Sequence, residues 1–304
     1  MDARQVVRTT FVRATLHLVD AGDLIRFRRL LDPATERAMR GFMGKRIEGL
    51  DGVRLAEVAR ALLREEPRTY GQIGELLEAH FPGYDAATLG YSSFRHHLPV
   101  VQVPPGGTWN SRPADCAYLP AEDYLGRALE PAADPADLVR RYLAAFGPAS
   151  AADVQRWSGL TGMSAVLRAL RDELTVLSTV DGPDLYDLPE APRPPGDTPA
   201  PARFVPDYDN LILSHADRGR IIADGDRKRV SVAGGGRVLG TVLVDGFVAG
   251  TWKIDRAKRR AELVVTPFAP LRRADRDALE AEGAALLAFA AAEASASGIR
   301  FVDA

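Results

Sequence analysis

Near the start of the chain a cation, a hydroxyl and an imidazole alternate: Arg13, Thr15 and His17 stand at every second position. On an extended strand that spacing places all three on one face. Such a face is a candidate pocket wall, and it can equally be the solvated side of a half-buried strand. The surrounding run Val6 to Val19 (VVRTTFVRATLHLV) is rich in β-branched residues and alternates, which predicts a strand or a tight strand pair. Val12, Ala14, Leu16 and Leu18 are expected on its buried face. A strand this apolar needs partners and covering helices, so the chain is expected to begin inside a domain.

Other groupings of reactive residue types are weaker. Ser214, His215 and Asp217 are sequence neighbours, and neighbours rarely form a catalytic triad. Adjacent His96 and His97 cannot both face one ion from a helix, and no HExxH or paired-cysteine spacing occurs, so no metal site is expected. The Gly234 to Gly236 run precedes a strand pattern instead of following one, which argues against a dinucleotide or P-loop site, and no cofactor is expected. Asp207 and Asp209 bracket Tyr208 before an expected strand, where a capped turn is the simpler role. Base excision remains, because it requires no metal or cofactor. It needs a small polar group that positions water or supports a cationic sugar, held over a DNA-binding surface.

The elements that would carry such a surface are legible. The chain has 304 residues, 46% hydrophobic and 26% charged, with formal net charge -2 and one cysteine, Cys116. These values describe a soluble chain of two or three domains without disulfides, consistent with a reducing cytoplasm, and no run is long enough to span a membrane. Near-zero net charge means that any DNA-binding face must come from local clustering. Asp23 to Met43 reads as helical and basic, with Asp20 or Asp23 as N-cap and Pro33 opening a second helix. Helices are predicted over Leu55 to Arg64, Tyr70 to His80 (capped by Thr69) and Ala86 to His97 (capped by Asp85), followed by a wing of Val100 to Val103 with Thr108 and Trp109 on the return. Gly90 weakens the third of these helices. The same plan recurs more regularly between residues 136 and 188. One helix covers Ala136 to Ala145, Ser150 caps the next, Gly159 or Gly162 turns the chain, and Met163, Val166, Leu167, Leu170 and Leu174 form a buried stripe. Two strands joined at Asp181-Gly182 follow. Three helices and a hairpin are the order of a winged helix-turn-helix.

A Pro-rich linker follows, and then an antiparallel β-rich region with a hairpin at Asp245-Gly246 and one long helix from Arg273 to Ala296. The expected fold class is therefore α+β, with tandem winged helix-turn-helix modules ahead of a β-rich domain with one long helix. The expected divisions are 1–52 (remnant of a first winged-helix unit), 53–130, 131–188, the linker 189–202, and 203–304. Candidate DNA contacts are Arg95, His96, Arg168 and Arg171 on the third helices, and Lys228, Arg229, Lys258 and Arg259 in basic clusters of the last domain.

Four motifs in order, RTTFVRATLHLV at Arg8, FGPASAADVQRWSGL at Phe146, FVPDYDNLILSHADR at Phe204 and LVDGFVAGTW at Leu243, resemble the bacterial winged-helix DNA glycosylases of the AlkZ-like and YcaQ-like kind. The resemblance covers essentially the whole chain. It implies tandem winged helices that form a basic concave surface for double-stranded DNA, excision of bulky N-alkylated bases, and unhooking of interstrand cross-links, in a cytoplasmic, nucleoid-associated protein. It also implies a catalytic Gln-x-Gln or Gln-x-Asp pair ahead of the strand at Arg8. Gln5 has Val7 two positions later and does not reproduce it. The expectation is a start codon assigned too far downstream or a lost catalytic segment, and poor or absent base release by these residues alone. The alternatives from other classes are a transcriptional regulator bound to one operator and a winged-helix scaffold for protein partners.

Overall fold

The alternating residues at the start form β1 (Val6–Thr10) and β2 (Leu16–Asp20), paired antiparallel from Val6↔Asp20 to Thr10↔Leu16. The computed structural model describes residues 3–108, 111–131, 133–231 and 237–302, without the side chains of His96 and Pro113. Trp109 and the Gly234 to Gly236 loop, both singled out above, lie outside these residues. A 3-10 turn at Val12–Ala14 interrupts the alternation, with Arg13 at φ 55° and Ala14 at φ 56°. The buried face therefore changes phase across the turn. On β2 it is Val19 that is buried and Leu18 that is 66% exposed, the reverse of the expectation from an unbroken strand.

The chain separates into two units, Met1–Pro189 and Glu190–Ala304. In the first, Asp20 accepts from the N–H groups of Gly22 (2.8 Å) and Asp23 (3.2 Å) and starts α1 (Ala21–Met43). This is one helix through Pro33 and not two. Leu24, Phe27, Leu31 and Ala34 bury one stripe along it, and that packing outweighs the hydrogen bond lost at proline. Its basic residues are not a uniform solvated face either. Arg28 is 1% exposed and paired with Asp32, and burial pushes its guanidinium down to about 10, still charged at neutral pH. Arg26 pairs with Asp137 and Arg40 with Glu36.

Next come α2 (Gly52–Glu65), α3 (Tyr70–Glu78) and α4 (Ala86–Ser92), capped by Asp51, Thr69 and Asp85. The helix expected to reach His97 changes at Ser93–His97 into a π-helical turn. Gly90 has a packing role that propensity does not reveal. A Cβ there would strike the Tyr70 carbonyl, and one at Gly74 the Ala86 carbonyl, so the two glycines let α3 and α4 pack backbone to backbone. After β3 (Val100–Gln102) the return strand is β4 (Tyr118–Pro120), not Thr108. Hydroxyl bonds close local turns there instead, from Thr108 to the Pro105 carbonyl and from Ser111 to the Thr108 carbonyl, each 2.8 Å. The four strands lie in the order β2-β1-β3-β4. A short α5 (Ala121–Leu125) leads to α6 (Pro135–Phe146), α7 (Ala151–Ser158) and α8 (Met163–Ala169). Ser150 and Asp153 form a capping box on α7, and both candidate glycines turn the chain, Gly159 at φ 75° and Gly162 at φ 80°. The hairpin of β5 (Thr175–Leu177) and β6 (Leu185–Asp187) encloses a seven-residue loop, 178–184, around Asp181-Gly182.

Two cores support this unit. One joins β1, α1 and the helices α6 to α8 through Val7, Phe27, Leu31, Tyr142, Val154 and Leu167. The other joins α2, α3 and α4 to β3 and β4 through Leu55, Leu63, Ile73, Leu77, Leu89 and Val100.

The second unit holds β7 (Arg203–Val205), α9 (Asn210–Leu213), β8 (Thr241–Val244), β9 (Phe247–Ala257), β10 (Arg260–Pro267), α10 (Arg273–Ala290) and β11 (Ala296–Phe301). Its sheet runs β11-β10-β9-β8-β7. Asp245 (φ 49°) and Gly246 (φ 78°) make the expected hairpin turn between β8 and β9. The expectation of an antiparallel domain needs one correction. β11 pairs with β10 in parallel, because the chain crosses over through α10 before it returns. Asp207 and Asp209 are structural: Asp209 caps α9, where a strand was expected, and Asp207 accepts from the Gly240 N–H (2.6 Å) and pairs with Arg237.

Candidate nucleic-acid interface

The β1–β2 turn spreads its three polar side chains. Arg13 Nη1 donates to the Trp157 carbonyl (2.7 Å), fixing the turn against α7, while Thr15 Oγ1 donates to the Val12 carbonyl (3.1 Å). His17 Nδ1–H donates to the Thr15 carbonyl (2.9 Å), so Nε2 is the acceptor of the neutral ring. Burial, with a smaller contribution from the Arg13 charge, holds His17 down to about 4. The ring is thus neutral at physiological pH. The three side chains reach for three different carbonyls and are not brought together on one point.

Around the π-helical turn the side chains do converge. Arg95 lies over the Tyr91 ring, 5.4 Å from its centroid, and Phe42 of α1 meets the same ring at 5.6 Å. Phe94 packs on Tyr118 at 4.8 Å. Tyr91, Phe94, Arg95 and Tyr118, with Tyr70, Thr10 and Leu16, line a cleft of about 100 Å³. The side chain of His96 is not described.

On the more regular module the cations are less available. Arg168 is exposed on α8 and donates back to the Ser164 carbonyl (3.3 Å). Arg171 is not on that helix. It sits on the following 3-10 turn and pairs with Asp184 (3.4 Å) across the wing. Between residues 163 and 188 these two arginines face five carboxylates in the sequence, Asp172, Glu173, Asp181, Asp184 and Asp187.

In the second unit Arg229 is committed to Asp226 (3.1 Å), the Phe268 carbonyl (3.0 Å) and the Phe268 ring (4.1 Å), and Lys228 is exposed beside it. Lys258 and Arg259 form the two-residue turn between β9 and β10, with Lys258 at φ 54°. Both are exposed, and Arg260 begins the next strand beside them, so three cations stand in a row at a hairpin tip. Among the described residues no group of three His, Cys, Asp or Glu side chains could hold a metal ion.

Residues 1–289 match the family model described as DNA glycosylase AlkZ-like. The chain belongs to that family. It is 30% identical, over 177 residues, to the interstrand DNA cross-link repair glycosylase of Streptomyces sahachiroi. That match spans 55% of this chain and 46% of the relative, about half the relative's length. Among solved structures, the Streptomyces sahachiroi DNA glycosylase AlkZ shares the fold, with a TM-score of 0.72 and 23% identity over 99% of this chain and 83% of that one.

Within this AlkZ-like chain Arg95, singled out from the sequence, lies in a setting that the sequence does not show. Tyr70, Phe94 and Tyr118 come from three separate elements, and no periodicity links them. The available signal was composition: residues 86–103 carry aromatic rings and Arg95 and no carboxylate. Among the described residues no helix is long and apolar enough to cross a membrane.

Proposed function

We propose that this chain binds duplex DNA through tandem winged helices and acts in the repair of bulky N-alkylated bases, including interstrand cross-links. The observation that carries the reading is the family match over residues 1–289. Two stretches of three helices followed by strands support the winged-helix part, α2 to β4 and α6 to β6. Residues 53–130 and 131–188 are then the second and third winged-helix units, 1–52 the wing and helices of the first, 189–202 a linker and 203–304 the α+β domain. Arg95, Arg168, Lys228, Lys258 and Arg259 are the phosphate contacts, whereas Arg171 and Arg229 are largely committed to their internal partners. The 304 residues contain no Gln-x-Gln or Gln-x-Asp pair, so base release from an N7-alkylated duplex is expected to be slow or absent.

The test is anisotropy of a labelled random duplex at several salt concentrations. Affinity should fall with salt by a slope of roughly 0.9 per phosphate contact, and the double substitution Lys258→Ala, Arg259→Ala should flatten that slope by about 2. Unchanged affinity and slope would remove those residues from the interface. A regulator would bind one operator far more tightly than random duplex, and undetectable binding at low salt would favour a protein-interaction scaffold. Robust release of the alkylated base would overturn the expectation about chemistry.

A further inference from the structure

The chain carries its positive charge almost entirely on arginine: of 39 basic residues only Lys45, Lys228, Lys253 and Lys258 are lysines. Arginine is the better phosphate clamp, but only lysine offers an amine that reacts with a carbonyl. Lys253 is paired with Asp255 (2.9 Å), and Lys45 shares a cavity with Glu36 and Glu48 as well as Arg40. Lys228 lies on an exposed turn between Arg227 and Arg229, which are already paired with aspartates. Lys258 differs. It stands with Arg259 at the tip between β9 and β10, held at φ 54°. Two-residue turns usually give that left-handed position to Gly, Asn or Asp. A side chain kept in a disfavoured backbone conformation points to a role for that side chain.

The tip is fixed to the segment that follows α10. The Arg259 carbonyl accepts from the Ser295 N–H (2.8 Å) and the Ser295 hydroxyl (3.2 Å), and Arg256 donates to the Ala290 carbonyl (2.9 Å). Between the two lies a cavity of about 300 Å³, lined by Arg256, Lys258, Arg259 and Arg260 from the hairpin and Glu293 from the facing segment. Among the described residues Lys258, Arg259, Arg260 and Glu293 form no ion pair. The volume suits one sugar with its phosphate. The arginines suit the phosphate, the amine suits an aldehyde, and the carboxylate can take up a proton. An open-chain sugar aldehyde joined to phosphate meets all three.

We propose that Lys258 captures the aldehyde of an abasic site in DNA and that the same cavity cleaves the strand there. The assignment rests on the DNA reading above for the polymer that brings this sugar, and it concerns a site from which the base has already gone. The Lys258 amine attacks C1′ of the ring-opened deoxyribose, a C=N bond replaces C=O, and water leaves. The imine draws electrons from C2′, so a proton there passes to the Glu293 carboxylate. The C2′–H electron pair becomes the second bond between C2′ and C3′, and the C3′–O bond breaks with the phosphate as leaving group. Arg259 and Arg260 hold that phosphate. Water then hydrolyses the imine and frees Lys258. One strand ends in an unsaturated aldehyde and the other in a 5′-phosphate, with no net oxidation or reduction.

The experiment incubates the full chain and sodium borohydride with three probes: a duplex holding one abasic site, the same duplex with tetrahydrofuran in its place, and free 2-deoxyribose 5-phosphate. Borohydride reduces an imine to a stable amine, so capture appears as a covalent adduct whose site is mapped by peptide mass. Anisotropy of a label on each duplex reports binding separately. Tetrahydrofuran lacks the aldehyde and should give no adduct. Without borohydride the abasic strand should be cut. At saturating duplex Lys258→Arg, which keeps the charge, should lower both adduct and cutting at least about tenfold, whereas Lys253→Arg should change neither. Glu293→Gln should keep the adduct and slow the cutting about tenfold. All three positions are exposed, so the variants fold. An adduct that survives Lys258→Arg, or maps evenly over the four lysines, overturns the assignment. Cutting untouched by Glu293→Gln overturns the proton transfer to that carboxylate. Duplex binding without an adduct overturns the capture and leaves the DNA reading intact. An adduct of the free sugar phosphate on Lys258, with no binding to either duplex, supports the reactive lysine and removes the DNA reading.

Discussion

The two helix-and-strand modules of the first unit make opposite use of regularity. The one from Pro135 to Asp187 follows the rules closely: a capping box at Ser150, left-handed glycines at Gly159 and Gly162, and a buried stripe ending in Leu167 and Leu170. Its outer surface is nonetheless close to self-neutralised, with Arg171 tied to Asp184 and Arg140 to Asp137 and Glu173. The module from Gly52 to Pro120 breaks the rules. Its third helix gives way to a π-helical turn, and its glycines sit inside helices. Yet it gathers four aromatic rings and an arginine around a cleft free of carboxylates. Regular elements secure folding, and the departures from regularity here re-aim side chains around a cleft.

The largest effect should separate stability from recognition. Leu167 is fully buried, and Leu167→Ala should cost about 2–5 kcal/mol in chemical denaturation while the folded fraction keeps the salt dependence of duplex binding. Gly90→Ala places a methyl against the Tyr70 carbonyl, should cost about 1–3 kcal/mol, and should weaken duplex binding in protein that remains folded. If Gly90→Ala kept full stability and duplex affinity, close packing of α3 on α4 would not be what Gly90 secures.

An intermediate effect concerns acid. His17 is held down to about 4 in the fold against about 6.5 when unfolded. Both states are neutral above 6.5, so the group contributes nothing there. Between 6.5 and 4 the unfolded chain takes up the proton and the fold does not, so stability is lost as pH falls and the loss levels off below 4. With allowance for partial exposure the loss at pH 5 is about 1 kcal/mol. His17→Asn should narrow the difference in melting temperature between pH 7 and pH 5, and an unchanged difference would place acid sensitivity elsewhere.

The legible parts of this chain were those governed by local chemistry. Caps at Asp20, Thr69, Asp85 and Ser150, the Asp245-Gly246 turn and the breaks at Gly159 and Gly162 are set by neighbouring residues, and each stands where the pattern put it. What escaped depends on distant partners. Arg28 reads as one more surface cation until α1 is packed into a core. Gly90 reads as a weak helix position until Tyr70 of the neighbouring helix lies against it. The parallel pairing of β11 depends on a crossover, and a strand carries the same local pattern in either direction. The cleft is the extreme case, because its lining comes from β1, β2, α3, α4, the π-helical turn and β4.

The smallest effect tests whether ion pairing, and not position, keeps Arg171 from contacting DNA under the proposed function. Arg171 looks exposed, but its charge already faces Asp184 at 3.4 Å. Arg171→Ala removes a cation whose field on a nearby phosphate is largely cancelled, so duplex affinity should change less than about twofold at physiological salt. Asp184→Asn keeps the size of the side chain and releases the arginine. It should raise affinity and steepen the salt slope by up to about 1, the signature of one added phosphate contact. Arg168, with no carboxylate paired to it in the described residues, should lower affinity on substitution by alanine, more than Arg171 does. If Asp184→Asn changes neither affinity nor slope while Arg168→Ala does, Arg171 lies outside the contact surface. If both arginines are silent, the proposed phosphate contacts reduce to Arg95 in the first unit and to Lys228, Lys258 and Arg259 in the second.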